Sequence, residues 1–458
     1  MDSLKLEKKN IKRLKKILEQ FTKSTIINST LKIAMGNIIA QTLSFIFVPV
    51  NTRLYGPEYY GEFSIFTSTY SIINGLMCLG LVSAIISPKD ERDASGIYRI
   101  CIISCVTLSV VLLAIVFVIS PWIKVIDIGI QYYIACILLA IALISNNLVS
   151  ITGTWGNRQQ AYNILFWNPI ISAVLNFLVT FTLGLTSFKS YGLILGMLIS
   201  QSVAFFYLHL IFKPLKYKHS FQNLKLLLKE YSDFVKYQMS SNFIKGVTLN
   251  IPILMLSQLF GDVFLGQYNM GQRLLFIPIV FIASALGQIH FKQATQIVNN
   301  GDDPGELTYK TIKLITYISF IPFLILGVFG DSIFKIFLGS DWVLSGNLVK
   351  IRSLEFLLSS IFFSASYFFV VIRKQKINLI HTIISLIVSI TAIYIGGYLF
   401  NDKIITVLFL TATNSILYIG FYVYAFKNSS FGSRYFLRFI TLSTILFLVL
   451  QFIGNSIF

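Results

Sequence analysis

Long apolar runs recur along the whole chain and leave little choice of fold. Thirteen runs of about 20 residues or more are separated by short polar loops, and a helix of that length crosses a bilayer core of roughly 30 Å. Only 12% of the residues are charged, against roughly 25% in soluble domains. The sequence therefore predicts an all-α polytopic membrane protein. It excludes a soluble enzyme, a DNA-binding domain and a disulfide-rich secreted scaffold.

The apolar runs divide into two sets of six and one remainder. The first six spans form a predicted N-lobe over 26–212, and the next six form a C-lobe over 239–426, with a cytoplasmic linker at 213–238. The remainder, 437–457, predicts an extra C-terminal span that places the C-terminus outside. The predicted spans are 26–50, 62–86, 99–120, 131–153, 163–184, 191–212, 239–260, 267–290, 311–336, 348–372, 377–399, 404–426 and 437–457.

Residues 1–25 precede the first span and are strongly basic. Ile11, Leu14, Leu18 and Phe21 share one face at helical spacing, and lysine dominates the rest of the segment. Such a segment binds the surface of anionic lipid rather than crossing the bilayer. We therefore predict an amphipathic helix that holds the N-terminus in the cytoplasm.

The net charge of +18 follows the predicted topology. Roughly three quarters of the 37 lysines and arginines fall in the segments on the same side as residue 1, as expected for the cytoplasmic face. The basic excess is thus an orientation signal, and it requires no nucleic-acid partner. No metal or cofactor motif is present, and the four cysteines lie in apolar runs, where they act as small packing residues.

Two passages of the sequence match across 205 positions. Residues 54–63 (LYGPEYYGEF) and 259–268 (LFGDVFLGQY) share the pattern L-[YF]-G-x-x-[YF]-x-G-x-[FY], and each joins the first two spans of its lobe. Six spans separate the copies, so the lobes run parallel, related by a pseudo-twofold axis along the membrane normal. That arrangement is typical of alternating-access carriers. The glycines are expected to permit a tight turn at the headgroups.

Charged residues inside the spans are the candidate site, because such residues usually face a cavity or a partner. Arg273 is the first candidate for substrate binding, and its guanidinium suits a diphosphate. Lys245, Arg53 and Lys32 are further candidates, although snorkelling to an interface also explains Arg53 and Lys32. Arg352 and Glu355 stand three apart on one helix face, which predicts an ion pair or coupling site. Buried carboxylates are otherwise scarce, which favours an anionic substrate.

Three segments carry a resemblance to a known family. NTRLYGPEYYGEFS (51–64), LFGDVFLGQYNMGQRLLFIP (259–278) and FGDSIFKIFLGSDW (329–342) resemble the polysaccharide-exporter branch of the multidrug/oligosaccharidyl-lipid/polysaccharide superfamily, in particular Wzx-type O-antigen and capsule flippases. The resemblance implies a V-shaped body of two six-helix lobes. It also implies a substrate, an oligosaccharide repeat unit on undecaprenyl diphosphate, moved from the cytoplasmic to the outer leaflet of the bacterial plasma membrane. By resemblance, Arg273 falls where family members place a cavity cation.

Three alternatives remain open from sequence. The first is a multidrug or metabolite antiporter of the same superfamily, which should carry buried acidic residues in both lobes. The second is an O-antigen polymerase or ligase, which needs a large outer loop that this chain lacks. The third is a scaffold that recruits glycosyltransferases. Under the preferred interpretation the protein is not an enzyme and needs no cofactor. Its partners are the lipid-linked oligosaccharide, membrane lipids and, in the same pathway, the polymerase and glycosyltransferases.

Overall fold

The chain is helical throughout the part that the structure describes. The computed structural model describes residues 25–119, 132–214, 217–374, 376–427 and 433–457 and contains no β-strand in them. The predicted amphipathic helix over 1–25 lies outside these residues, apart from its last one. The helices are α1 (Thr25–Leu54), α2 (Pro57–Asn74), α3 (Glu91–Ile119), α4 (Tyr132–Arg158), α5 (Tyr162–Gly184), α6 (Lys189–Phe212), α7 (Phe221–Glu230), α8 (Ser240–Asn299), α9 (Gly305–Leu338), α10 (Val343–Val371), α11 (Lys376–Ile393), α12 (Lys403–Lys427) and α13 (Ser433–Ile457).

Length and hydropathy make most of these helices membrane spans. Ten helices within the described ranges are long and apolar enough to cross a bilayer. An eleventh is added if α2 and the 3-10 segment Met77–Ile86, bent by 64°, count as one span. The prediction of an all-helical membrane protein is confirmed. Among the residues that the structure describes, the count is lower than the predicted thirteen, partly because Phe234–Ile279 forms one long apolar stretch that contains a predicted loop.

Two of the breaks in the spans have clear backbone causes. Gly261 interrupts α8 with φ 77 and ψ 176, a conformation that a residue with a side chain rarely adopts. After α2, Cys78, Leu79 and Gly80 are all left-handed, with φ of 53, 53 and 69. Left-handed backbone at non-glycine residues is uncommon, and here it turns the chain sharply within an apolar segment.

The described residues form two compact units. Unit 1 contains those of 25–51, 76–119, 132–214 and 217–242, and unit 2 contains the rest. Within unit 1, α3 to α6 pack as a helical bundle, and the Tyr98 hydroxyl bonds the Thr152 hydroxyl at 3.0 Å in its interior. The amphipathic α7 is capped by Ser220, whose side chain accepts a hydrogen bond from the Asn223 N–H. This helix buries Leu227 against α3.

Unit 2 contains α2 together with α8 to α13. Its apolar core joins α9, α10, α12 and α13 around Ile312, Leu358, Phe421 and Phe436. The last helix, α13, is 25 residues long and packs on α9, and its Gln451 side-chain amide donates to the Gly327 carbonyl at 3.1 Å. The helix α2 belongs to unit 2, although its residues fall within the predicted N-lobe of 26–212.

Candidate functional site

The two copies of the repeat meet inside unit 2, where α2 crosses the part of α8 that follows Gly261. A Cβ on Gly61 would overlap the Asp262 carbonyl oxygen, and a Cβ on Gly266 would overlap the Pro57 carbonyl oxygen. Residues 61 and 266 stand 205 apart, as do residues 57 and 262, so the two contacts are reciprocal. The expected turn role suits Gly261, whereas Gly61 and Gly266 instead allow two helix backbones to touch.

A hydrogen bond continues this crossing one turn further along both helices. The Asn269 side-chain amide donates to the Ser64 hydroxyl at 2.6 Å. Nearby, the ring of Tyr60 lies edge-on to Trp342, and the Trp342 indole donates to the Thr52 carbonyl at 3.2 Å. The start of α2 is thus fixed to unit 2 by paired backbones, one amide and an aromatic cluster.

The four cations predicted to bind substrate occupy different surroundings. Lys32, in unit 1, is exposed and donates to the Asn163 side chain at 3.0 Å. Arg53 is exposed and donates to the Ile336 carbonyl at 3.4 Å, near the C-terminal end of α9. Each of these two cations thus has a hydrogen-bond partner within its own unit.

Arg273 and Lys245 are both exposed side chains on the apolar helix α8. Neither forms an ion pair or hydrogen bond with the residues that the structure describes. The positive charge of Arg273 lies within electrostatic range of the Tyr60 phenol at the repeat crossing. An exposed, unneutralised cation on an apolar span is available to an anion that approaches the helix.

Arg352 and Glu355 are buried in unit 2 and form an ion pair. The Arg352 Nε lies 3.1 Å from a Glu355 carboxylate oxygen, and both side chains are about 5% exposed. The guanidinium also donates to the Gln272 side-chain oxygen at 3.3 Å. It lies over the rings of Tyr268 and Phe356, with centroid distances of 4.5 and 4.9 Å. The predicted pair is present, and it is enclosed by α8 and α10.

The carboxylate of Glu355 has partners of its own on α12. The Asn414 amide donates to it at 3.0 Å and the Thr411 hydroxyl at 3.5 Å. The ion pair is therefore neutral as a unit and links three helices, α8, α10 and α12. Sequence reasoning missed Gln272, Asn414 and Thr411. The signal that was available is their polarity, since each stands in an otherwise apolar span.

Comparisons with known proteins point to one family and one fold. Residues 50–347, more than half of the chain, match the family described as polysaccharide biosynthesis protein. An uncharacterized membrane protein in the cps region of Klebsiella pneumoniae is 21% identical over 321 residues. That alignment covers 69% of this chain and 65% of the relative, so it spans just under two thirds of the relative's length.

Two solved structures share the fold over nearly their whole length. The lipid II flippase MurJ, in an inward closed conformation, has a TM-score of 0.68 and 15% identity, covering 93% of this chain and 97% of that chain. An inward-facing multidrug resistance MATE family transporter of the MOP superfamily has a TM-score of 0.65 and 16% identity, covering 87% and 97%. At these identities the likeness concerns the fold alone. Together with the match over residues 50–347, it shows that the chain belongs to the polysaccharide biosynthesis protein family and has the fold of a MOP-superfamily transporter.

Proposed function

We propose that the protein is a flippase that moves undecaprenyl-diphosphate-linked oligosaccharide repeat units from the cytoplasmic to the outer leaflet of the bacterial plasma membrane. The family match, the cps-region relative and the lipid II flippase fold support a transporter in polysaccharide synthesis. The undecaprenyl carrier and the direction come from the sequence resemblance. Transport proceeds by alternating access, without covalent chemistry.

The contrast between two arginines carries the proposal. Arg352 is buried and neutralised by Glu355, whereas Arg273 is exposed on an apolar helix without an ion pair among the described residues. A diphosphate supplies the counter-charge that Arg273 lacks, and a guanidinium binds phosphate oxygens through paired N–H donors. Lys245 adds a second unneutralised charge on the same helix, and Arg53 and Lys32 stay further candidates for substrate binding. The polyprenyl tail stays in lipid.

A multidrug or metabolite antiporter is the rival, and the shared fold with a MATE transporter favours it. Such a carrier takes cationic compounds and uses free acidic residues within its spans. Among the described residues, Glu355 is the only buried carboxylate, and Arg352 already neutralises it. The charge balance of the described spans therefore supports an anionic cargo.

The proposal is tested by complementation of a bacterial strain that lacks its own repeat-unit flippase. We expect Arg273→Ala to lower surface polysaccharide at least tenfold, since charge-assisted hydrogen bonds contribute about 1.5–3 kcal/mol each. Arg273→Lys should retain part of the activity because it keeps the charge and loses the paired geometry. Lys403→Ala, at an exposed lysine that begins α12, is the matched control and should behave as the unaltered protein. Full complementation by Arg273→Ala, at equal membrane levels, contradicts the assigned role.

A further inference from the structure

A polar cavity lies at one end of unit 1, and none of the candidate residues described above lines it. It has a volume of about 470 Å³, within the range of roughly 300–1,000 Å³ that small-ligand sites occupy. The end of α4 and the start of α5 form most of its wall, and the start of α3 supplies the rest. Its polar and aromatic lining includes Glu91, Trp155, Asn157, Arg158, Gln160 and Tyr162.

One arginine holds the backbone that borders the cavity. The Arg158 guanidinium donates to five successive or near-successive carbonyls, from Ile85 to Asp90, including Pro88 at 2.6 Å and Ile86 at 3.1 Å. The donors of its two terminal nitrogens are therefore used within the protein. The wall is preorganised, and a ligand does not need to order it on binding.

Gln160 stands in a backbone conformation that favours glycine. Its φ is 56, and it follows α4 in a Schellman-type cap, in which the Ala161 N–H donates to the Gly156 carbonyl and the Gln160 N–H to the Asn157 carbonyl, both at 3.0 Å. Glycine is the common residue at such a position because it has no Cβ penalty. A glutamine here keeps an amide side chain at the cavity in spite of backbone strain.

The lining offers hydrogen bonds and no net charge. Glu91 and Arg158 cancel, and Glu91 accepts a bond from the Tyr217 hydroxyl at 3.4 Å. The Trp155 side chain is buried to 3% exposure, packs edge-on to Tyr98, and has no hydrogen-bond partner for its indole nitrogen within the described ranges. A neutral ligand with many hydroxyl groups matches amides, a carboxylate and aromatic rings. A diphosphate does not, because the guanidinium is already occupied and Glu91 repels it.

We propose that this cavity is a binding site for one neutral sugar residue. The proposal rests on the proposed function, since it assigns the cavity to the saccharide part of the transported head. Lys89, Arg92 and Arg158 stand at this end of unit 1, which the distribution of basic residues predicts to be cytoplasmic. A repeat unit made in the cytoplasm would therefore encounter this site before transport. The sugar is held here by hydroxyl contacts.

The site can be tested with variants that keep the fold. Gln160→Gly removes the amide and relieves the left-handed backbone, so it should fold at least as well as the unaltered protein. Trp155→Phe keeps an aromatic ring against Tyr98 and shortens the aromatic wall of the cavity. Asn401→Gly is the matched control, because Asn401 is another amide residue in a left-handed conformation, with φ 49, outside the cavity.

The probes are the methyl glycosides of glucose, galactose, mannose and N-acetylglucosamine, without phosphate or lipid. Saturation-transfer NMR on the full chain in nanodiscs should detect binding of at least one glycoside. Gln160→Gly should weaken its affinity about three- to tenfold, as expected for one lost neutral hydrogen bond, and Trp155→Phe should weaken it by removing part of the aromatic wall. Asn401→Gly should leave the affinity unchanged. Absence of transfer from all four glycosides, or equal affinity in both cavity variants, overturns the proposal.

Failure of this proposal is distinguishable from failure of the proposed function. If no glycoside binds but Arg273→Ala still abolishes surface polysaccharide, the cavity assignment is wrong and the flippase assignment remains. If glycosides bind at the cavity but Arg273→Ala complements fully, the sugar site remains and the role of Arg273 is wrong.

Discussion

Ser64 and Asn269 directly follow the two copies of the repeat, 205 positions apart, and a hydrogen bond of 2.6 Å joins them. Gly61 and Gly266, one turn earlier, are related in the same way and let the two backbones touch. A contact between equivalent positions is expected where a local twofold relation passes through a helix crossing. The symmetry of whole lobes remains a prediction, whereas this reciprocal contact is observed.

The crossing predicts a steric requirement at both glycines. Gly61→Ala or Gly266→Ala forces the helices apart, because the new methyl group would overlap the carbonyl of Asp262 or Pro57. We expect each variant to lose about 1–3 kcal/mol of stability, as for other overpacked sites. Thermal unfolding in nanodiscs measures the loss. Gly420→Ala, also in unit 2, has open space around its Cβ and should be neutral or stabilising; a similar melting temperature for all three variants would contradict the close crossing.

Sequence could predict the repeat but not the contact that it makes. The match of 54–63 with 259–268 is visible in the letters, and the all-helical fold follows from the apolar runs. Whether two equivalent segments pack on each other or lie far apart depends on long-range packing, which local periodicity does not encode. The sequence therefore predicts a turn role for the glycines, and it does not predict the hydrogen bond between Ser64 and Asn269.

The network around the buried ion pair could likewise be predicted from the sequence only in part. Arg352 and Glu355 are three residues apart, so their pairing could be predicted from helix geometry. Gln272 and Asn414 lie 80 and 59 residues from their partners in the network, and no spacing rule connects them. The comparisons confirm the family resemblance, which was based on sequence motifs in three short segments.

Removal of one member of this pair should destabilise the protein strongly. Glu355→Gln leaves the Arg352 charge buried without a counterion, and we expect a loss of about 3–5 kcal/mol. A double change of both residues to leucine should be milder than either single change, because no unpaired charge is left. Asp331→Asn is the matched control: its ion pair with Lys350 at 2.7 Å is partly exposed, and its loss should cost less than about 1 kcal/mol. Unfolding by SDS titration ranks the variants, and a control loss equal to that of Glu355→Gln would contradict a special role for burial.

The predicted orientation can be checked at two loops of unit 2. Alkaline phosphatase fused after Gly301 should be inactive, because the turn between α8 and α9 is predicted to be cytoplasmic. The same enzyme fused after Asn401, between α11 and α12, should be active, because that turn is predicted to be outside. A cytoplasmic reporter such as green fluorescent protein provides the reciprocal control at both sites. The reverse pattern would invert the topology and place the sugar cavity outside.

We expect His219 to make the stability of the contact between α7 and α3 depend on pH. His219 precedes α7, outside the segments that could span the membrane, and its ring lies against Gly96 of α3. Burial, followed by the charges of Arg99 and Arg92, lowers the pKa of this ring below 6.5, whereas the charge of Asp93 acts in the opposite direction. The unfolded chain therefore takes up the proton at a higher pH than the folded chain. The stability contributed by the neutral ring is present above about pH 6.5 and is lost as the pH falls through the lowered pKa.

The corresponding measurement compares melting temperatures at pH values of about 7.5 and 5.5. The unaltered protein should lose more stability on acidification than His219→Gln, which keeps a polar side chain that does not titrate. His209→Gln is the control, since it removes a different histidine near the end of α6. If His219→Gln and the unaltered protein respond equally to acid, protonation of His219 does not weaken this junction.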